Sequence, residues 1–451
     1  YDVRGRETDE ELNVQSMELI GKGYGTFLAK RGITRLVIGH DNRGTSEAFH
    51  KAAIAGLLST GREIIDIGTI TTPMMYWAQY YFKTEGGVVI TASHNPVGWN
   101  GVKLALGYSA TTNQAELQEI YKSIAEDAFH EEEGKIVETA NIKEAYQKDL
   151  LSRVGEIRPF KVVVNTGNGT ASTFAPDIIK ATGCNVIEHL TTPDPTYPHY
   201  TPNPAELDMM EDTGRIVRES GADFGFAFDG DADRLGLVDE KGNIIWPDQY
   251  LMLLSRLTLQ QHPGAKIVFD VKVSQALIED IEAHGGVPIM TKTGHSYIKE
   301  KMKEENAAIA GEMSGHMFFV EGFYGFDDAT FAALKLLEYF STQDKKISEL
   351  MAGAPQYVST PALHAECPDD KKYKVVEELA KEFKEEYEVI DINGARVQFG
   401  DGWGLIRASS NLPALVLRFE AKTKERTQEI EQLFRDKLSR YDFVGTEWKA
   451  A

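Results

Sequence analysis

The chain has little cysteine, few cations relative to anions and no long apolar run. Cys184 and Cys367 are its only cysteines, too few for a disulfide framework and without zinc-site spacing. A reducing cytoplasm is the simplest compartment for such a chain. No apolar stretch approaches the ~20 residues that span a bilayer. No secretory leader is read at the start, and the lack of an initial methionine suggests that a few residues precede Tyr1. The 48 Lys and Arg against 69 Asp and Glu leave a net charge of −21, which argues against nucleic acid as a partner. An anionic small molecule remains compatible, because local basic residues set the potential inside a cleft. What remains is a globular composition, 42% hydrophobic and 26% charged over 451 residues, long enough for about three or four domains.

What is present is a repeat. Strand, polar loop, amphipathic helix, glycine stop and second strand follow one another from Arg35, again from Phe160 and again from Ala265. Each unit is βαβ, and the alternation predicts mostly parallel sheets. A further helix and strand follow in each case, at Met74–Lys83 with Val88–Thr91, Glu206–Glu219 with Asp223–Phe228, and Ser296–Lys303 with Ala307–Ala310. Each strand then runs into an unusual loop: TASHNP, DGDADR and GEMSGH. Loops at equivalent places on rigid scaffolds are where function concentrates. Glu116–Lys148 reads as charged and helical. Asp194–Pro204 has four prolines and reads as an extended loop. From Ala362 the pattern changes to short strands between two helices, Asp370–Glu385 and Thr423–Ser439, a small α+β domain with an antiparallel sheet. The expected domains are residues 1–142, 143–246, 247–357 and 358–451.

The stretch from Gly87 to Lys103, GVVITASHNPVGWNGVK, sets a small hydroxyl, Ser93, at the mouth of a buried strand, where α/β folds place their chemistry. A plain polar turn is the alternative. In DGDADR, the carboxylates of Asp229, Asp231 and Asp233 repel one another unless a hard cation compensates them. Mg²⁺ suits such oxygen ligands, and Arg234 beside them suits a phosphate. The alternative is a solvated turn, since the twelve-residue calcium-loop pattern is absent. GEMSGH offers Glu312, Ser314 and His316, a set that hydrogen-bonds vicinal sugar hydroxyls or else caps a helix. Lys272, Lys292 and His295 end the strands of the third unit and supply cations. Arg407, Ser409, Ser410 and Asn411 lie in RASSNLP, a loop able to wrap a phosphate or to serve as an ordinary turn. Tyr1 and Arg4 lie in YDVRG near the start, and His40, Asn42 and Arg43 follow the first strand.

Taken in order, YDVRG, TASHNPVGWNGVK, DGDADR, KTGH, GEMSGH and RASSNLP resemble the α-D-phosphohexomutase superfamily over nearly the whole chain, most closely its bacterial phosphomannomutase/phosphoglucomutase branch. The resemblance implies four domains around a central cleft, three of one mixed α/β topology and a fourth, α+β, like the TATA-binding-protein fold. It implies Ser93 as a phosphoserine, with Asp229, Asp231 and Asp233 holding Mg²⁺ together with a phosphoserine oxygen. Glu312 and Ser314 would bind the sugar's O3 and O4 hydroxyls, and Arg407, Ser409, Ser410 and Asn411 the phosphate that is not transferred. Lys103, His94, Arg4, Arg234 and His295 would surround the reacting phosphoryl group, with Lys103 a candidate general base. Tyr1, Lys272, Lys292 and His316 would complete the substrate-binding set.

The implied reaction moves phosphate between O1 and O6 of mannose or glucose phosphates through a hexose 1,6-bisphosphate, with glucose or mannose 1,6-bisphosphate as activator. Reorientation of that intermediate would require the last domain to loosen and re-close. Rival expectations are a phosphoglucosamine mutase, a Mg²⁺-dependent phosphatase and a non-catalytic sugar-phosphate binding protein. Hexose phosphates are the expected partners, without nucleic acid or membrane, for a cytoplasmic monomer or weak homodimer. Two departures stand out. RASSNLP permutes the family's commoner Arg-Ala-Ser-Asn-Thr-X-Pro, and His40 takes a place where Arg is common, leaving Arg43 as the nearby cation.

Overall fold

The computed structural model describes residues 2–409 and 412–450. Its contacts divide the chain into two units, Tyr1–Leu254 with Ala308–Glu349, and Ser255–Ala307 with Leu350–Ala451.

In the first unit, strand Arg35–His40 runs parallel to both Glu63–Thr69 and Gly86–Ile90. Gly86–Ile90 is buried along its whole length, which explains why it reads as an unbroken β-branched run. After TASHNP the chain returns as Trp99–Leu106, antiparallel to Gly86–Ile90, with Val3–Arg6 at its outer side. Helices Val14–Ala29, Ser46–Leu58 and Thr72–Phe82 accompany this sheet. The two leading helices pack their apolar faces (Met17, Tyr24, Phe49, Leu57) into one core with Leu36, Ile38 and Ile90.

The next sheet repeats the plan. Phe224–Phe228 is parallel to Lys161–Asn165, and after DGDADR the chain returns as Leu235–Val238, antiparallel to Phe224–Phe228. The third loop, GEMSGH, joins Ile309–Gly311 to the antiparallel Met317–Phe319. The sheets are therefore mixed: the strand that follows each loop is the antiparallel one. Each loop is the tip of a tight two-strand connection, so its side chains are held from both ends.

In the second unit, Lys266–Asp270 is parallel to Val287–Thr291, and helix His295–Glu305 follows. An antiparallel sheet runs Glu388–Ile390, Ala395–Gln398, Gly402–Ala408, Ala414–Ala421 and Leu363–Glu366. Helices Lys372–Phe383 and Lys424–Leu438 cover it, with Phe383 and Phe434 stacked 4.7 Å apart. Arg396, fully buried, lies over Trp403 at 3.8 Å and donates from Nη1 to the carbonyls of Val271 and Val273, each at 2.8 Å. These bonds tie the turn before helix Gln275–Ala283 to the antiparallel sheet.

Two expectations need correction. Glu116–Lys148 is not helical throughout: strand Lys135–Thr139 separates helix Gln114–Ala125 from Lys143–Ser152. Its β-branched centre pairs in parallel with the free edge of Glu63–Thr69, and such an edge partner outweighs local charge. The third helix starts at His295 rather than Ser296. Asp194–Pro204 has neither helix nor strand, as four prolines require. Among the described residues no helix is long and apolar enough to cross a membrane.

Candidate active site

Three of the four singled-out loops meet within the first unit. Ser93 leaves its strand in the left-handed region, at φ 51°, a conformation that costs a non-glycine residue about 1–2 kcal/mol. The turn puts Ser93 Oγ 2.7 Å from Asp229 Oδ2, to which it donates. Its one proton is then committed, so His94 Nδ1, 3.2 Å away, is the donor to Oγ. Burial, with the charges of Arg234 and Arg4, pushes His94 well below the usual imidazole range; the ring is neutral.

Asp229, Asp231 and Asp233 are fully buried, and each can turn a carboxylate oxygen to within 4.8 Å of the others. Burial and the facing charges of Asp233 and Asp231 raise Asp229 well above the carboxylate range. Asp231 moves the other way. Burial alone would raise it, but the Lys103 ammonium and the Thr72 hydroxyl lower it. Lys103 Nζ donates to Asp233 Oδ2 and lies 3.1 Å from Asp231 Oδ2, while Thr72 Oγ1 donates to Asp231 at 2.5 Å. The two aspartates hold the Lys103 ammonium far above its ordinary range despite its burial. One oxygen on each of Asp231 and Asp233 makes no hydrogen bond among the described residues. Three clustered carboxylates, with oxygens that take no hydrogen bond, fit a divalent cation bound by oxygen.

The third loop joins this cluster through His316. Arg234 Nε donates to His316 Nε2 at 3.1 Å, and His316 Nδ1 faces Asp327 Oδ2 at 2.8 Å and Asp233 Oδ1 at 3.6 Å. Burial alone would lower His316, but Asp233 and Asp327 raise it. Glu312, 3% exposed, heads the hairpin, its N–H donating to the His316 carbonyl at 2.9 Å. Ser314 Oγ stands 3.5 Å from Glu312 Oε2. Arg4 bridges Asp2, at 2.9 Å, and the Asn95 side chain, at 2.7 Å.

The second unit carries the remaining candidates. Lys272 N donates to Asp270 Oδ1 at 2.7 Å. Burial, then the charges of Arg407 and Lys272, lower His364, so those two cations face a common neighbour. Ser409 Oγ accepts from Leu412 N at 3.2 Å. Lys292 is exposed, 5.4 Å from the Tyr297 ring, and His295 opens its helix. Tyr1, Ser410 and Asn411 lie outside the described residues.

Sequence reading passed over Thr72, Asp2 and Asp327 as partners of Asp231, Arg4 and His316. Asp2 sits inside YDVRG and was within reach; Thr72 and Asp327 carry no local signal, because their partners are distant in sequence. Arg43 does not serve as a spare cation. Its guanidinium is taken up by backbone carbonyls of the Ser93 loop.

Residues 1–131 match the description "Phosphoglucomutase/phosphomannomutase, alpha/beta/alpha domain I". Residues 142–242 match alpha/beta/alpha domain II, 246–357 domain III and 363–437 the C-terminal domain of the same family. The chain is 38% identical over 443 residues to the phosphomannomutase/phosphoglucomutase of Pseudomonas aeruginosa, covering 98% of this chain and 95% of that one. It is 39% identical over 440 residues to the phosphoglucomutase of Neisseria gonorrhoeae, covering 96% and 95%. A crystal structure of a phosphoglucomutase/phosphomannomutase family protein from Burkholderia thailandensis superposes with a TM-score of 0.91 at 35% identity, over 98% of this chain and 96% of that one. With all four domain descriptions matched in order and relatives aligned end to end, the chain belongs to the phosphoglucomutase/phosphomannomutase family.

Proposed function

We propose that Ser93 carries the phosphoryl group in a reversible transfer between O1 and O6 of mannose and glucose phosphates. As a member of this family the chain is a phosphohexomutase, an isomerase acting on hexose phosphates. The observation that carries the residue-level reading is the contact of Ser93 Oγ with Asp229 at the edge of the carboxylate cluster. A phosphoryl group on that oxygen would face both the three aspartates and the cations Lys103, Arg4 and Arg234.

In the first half-reaction the Oγ–P bond of phosphoserine 93 breaks and its electron pair stays on Oγ. A bond forms from phosphorus to the free sugar hydroxyl, whose proton passes to a neighbouring base, giving the 1,6-bisphosphate. After the sugar reverses, the other phosphate returns to Ser93. Dividing the move into two in-line transfers avoids one difficult intramolecular step. Arg4 and Arg234 stabilise the charge spread over the moving oxygens. Lys103 is a cation while Asp231 and Asp233 face it, and would act as the base only as the neutral amine, after its ammonium proton has passed to solvent. Asp229, Asp231 and Asp233 would hold Mg²⁺, which supplies neutralisation of charge on the transferred group. Glu312 and Ser314 bind the sugar hydroxyls that look alike in its two orientations. Lys272, Arg407, Ser409, Ser410 and Asn411 take the resting phosphate, with Tyr1, Lys292, His295 and His316 in support. Glucose or mannose 1,6-bisphosphate primes an unphosphorylated Ser93. Two buried, unpaired cysteines accord with a reducing cytoplasm.

A coupled assay tests this reading. Mannose 1-phosphate and glucose 1-phosphate are offered with Mg²⁺ and trace glucose 1,6-bisphosphate, and Ser93→Ala is the control. Turnover of both, lost in Ser93→Ala, is the expected result. Turnover of glucosamine 1-phosphate alone, or turnover surviving in Ser93→Ala, would overturn it.

A further inference from the structure

Arg43, 5% exposed, stands just beyond strand Arg35–His40, under the loop that carries Ser93. Its Nη2 donates to the carbonyls of Ser93 and Asn95, both at 2.6 Å. Its Nη1 donates to the carbonyls of Pro96 and Trp99, both at 3.1 Å. Nε lies 3.3 Å from Asp41 Oδ2. Asp41 is itself fixed, its Oδ1 accepting from Arg43 N at 3.0 Å and from Ser46 Oγ at 2.5 Å. The Tyr197 ring, from the proline-rich loop, lies 5.3 Å from the guanidinium carbon. An arginine that grips an oxyanion keeps its fork open toward solvent or ligand. Here the fork is filled by four carbonyls, three from the Ser93 loop and one from Trp99, where the returning strand begins.

Ser93 is also the left-handed residue of that loop that is not glycine. Such a conformation persists only where its surroundings over-determine it. On the other side of the same carbonyl lies Gly230, where any side chain would collide with the Ser93 oxygen. We propose that Arg43 is a positioning residue for phosphoryl transfer: by gathering the carbonyls of residues 93, 95, 96 and 99 it holds Ser93 in the left-handed turn that sets Oγ on Asp229. It touches neither sugar nor phosphate and acts through the backbone.

The inference rests on Ser93 as the phosphoryl carrier. Lysine, a single-point donor, cannot reproduce a planar fork across four carbonyls. Arg43→Gln and Arg43→Lys are compared with the native enzyme for kcat and KM on glucose 1-phosphate, for thermal midpoint, and for amide exchange across residues 93–99. A small misplacement of a reacting group is expected to lower kcat of Arg43→Gln about tenfold or more. KM should stay within about threefold, because ground-state binding is untouched. Arg43→Lys should keep more of the native kcat than Arg43→Gln, and exchange should rise across 93–99 in both. Native kcat in both variants overturns the proposal, as does a rise in KM that accounts for the whole loss, which would make the guanidinium a phosphate ligand. Failure of both variants to fold assigns Arg43 to the fold and also overturns it. If the native chain turns over no hexose phosphate, the reading of Ser93 fails instead, and the two failures are thereby distinguished.

Discussion

At the scale of single residues, the carboxylate cluster sets buried like charges against one another. Asp229 is buried against two like charges, yet its Oδ1 accepts from the N–H groups of Asp233, at 3.0 Å, and Arg234, at 3.1 Å. Asparagine preserves the oxygen that holds those amides and removes the charge. Asp229→Asn is therefore expected to raise the thermal midpoint in metal-free buffer. Its turnover should fall by about a hundredfold or more, since one of the three carboxylates that would hold Mg²⁺ is lost. Thermal melts in chelator, paired with the coupled assay, check both halves; a lowered midpoint would refute the account. The aspartates, Ser93, Lys103 and Arg234 were legible because their chemistry is concentrated in short strings. Arg43 was visible as a residue but not in its role, because its partners lie about fifty positions away and are backbone oxygens without side-chain identity.

At the scale of elements, two helix and hairpin termini decide local stability. Asp328 caps helix Ala329–Ser341, accepting from Phe331 N at 2.9 Å and from the buried Tyr146 hydroxyl at 2.6 Å. Burial raises its carboxyl to about 7. A raised folded-state value means the fold prefers the protonated form. Its contribution to stability is fully present below about pH 4, the ordinary value, and is lost as pH climbs through about 7. The unfolding midpoint is expected to fall with rising pH across that window and to fall less in Asp328→Asn, which keeps the cap. Parallel slopes for the two proteins would contradict this.

The GEMSGH hairpin depends on Gly315, which takes φ 100° with the Leu235 carbonyl 2.9 Å from where a Cβ would sit. Gly315→Ala is expected to cost about 2–3 kcal/mol, read by urea unfolding, and to displace Glu312 enough to raise KM. The sequence indicated that the loop was special, because glycines flank a carboxylate, a hydroxyl and an imidazole. It did not indicate the antiparallel strands after each loop. Leu235–Val238 and Met317–Phe319 are short and uniformly apolar, and such runs do not disclose their direction.

At the scale of the whole chain, the second unit is held by buried charge as well as by apolar contact. Arg396 joins its antiparallel sheet to Val271 and Val273, and Glu420 accepts from Trp403 Nε1 and from Gln275 N, both at 2.8 Å. Arg396→Met leaves two buried carbonyls without donors, at a cost on the order of 3 kcal/mol. Hydrogen exchange is expected to lose protection in residues 255–307 and 350–450 of Arg396→Met and to keep it in residues 2–254. Uniform loss across the chain would show that the two units do not unfold separately.

The sequence by itself determined the four-part α/β plan, since hydrophobic periodicity and turn residues act over a few positions. It also marked the candidate loops, since carboxylates, hydroxyls and cations crowd into short segments there. Only the tertiary structure decided the charge states and the scaffolding. Whether Lys103 faces Asp233, whether His94 is neutral and which arginine holds the Ser93 turn depend on burial and on partners separated by scores of residues. No local pattern encodes those distances; they are set when separate sheets bring their loop-bearing ends together.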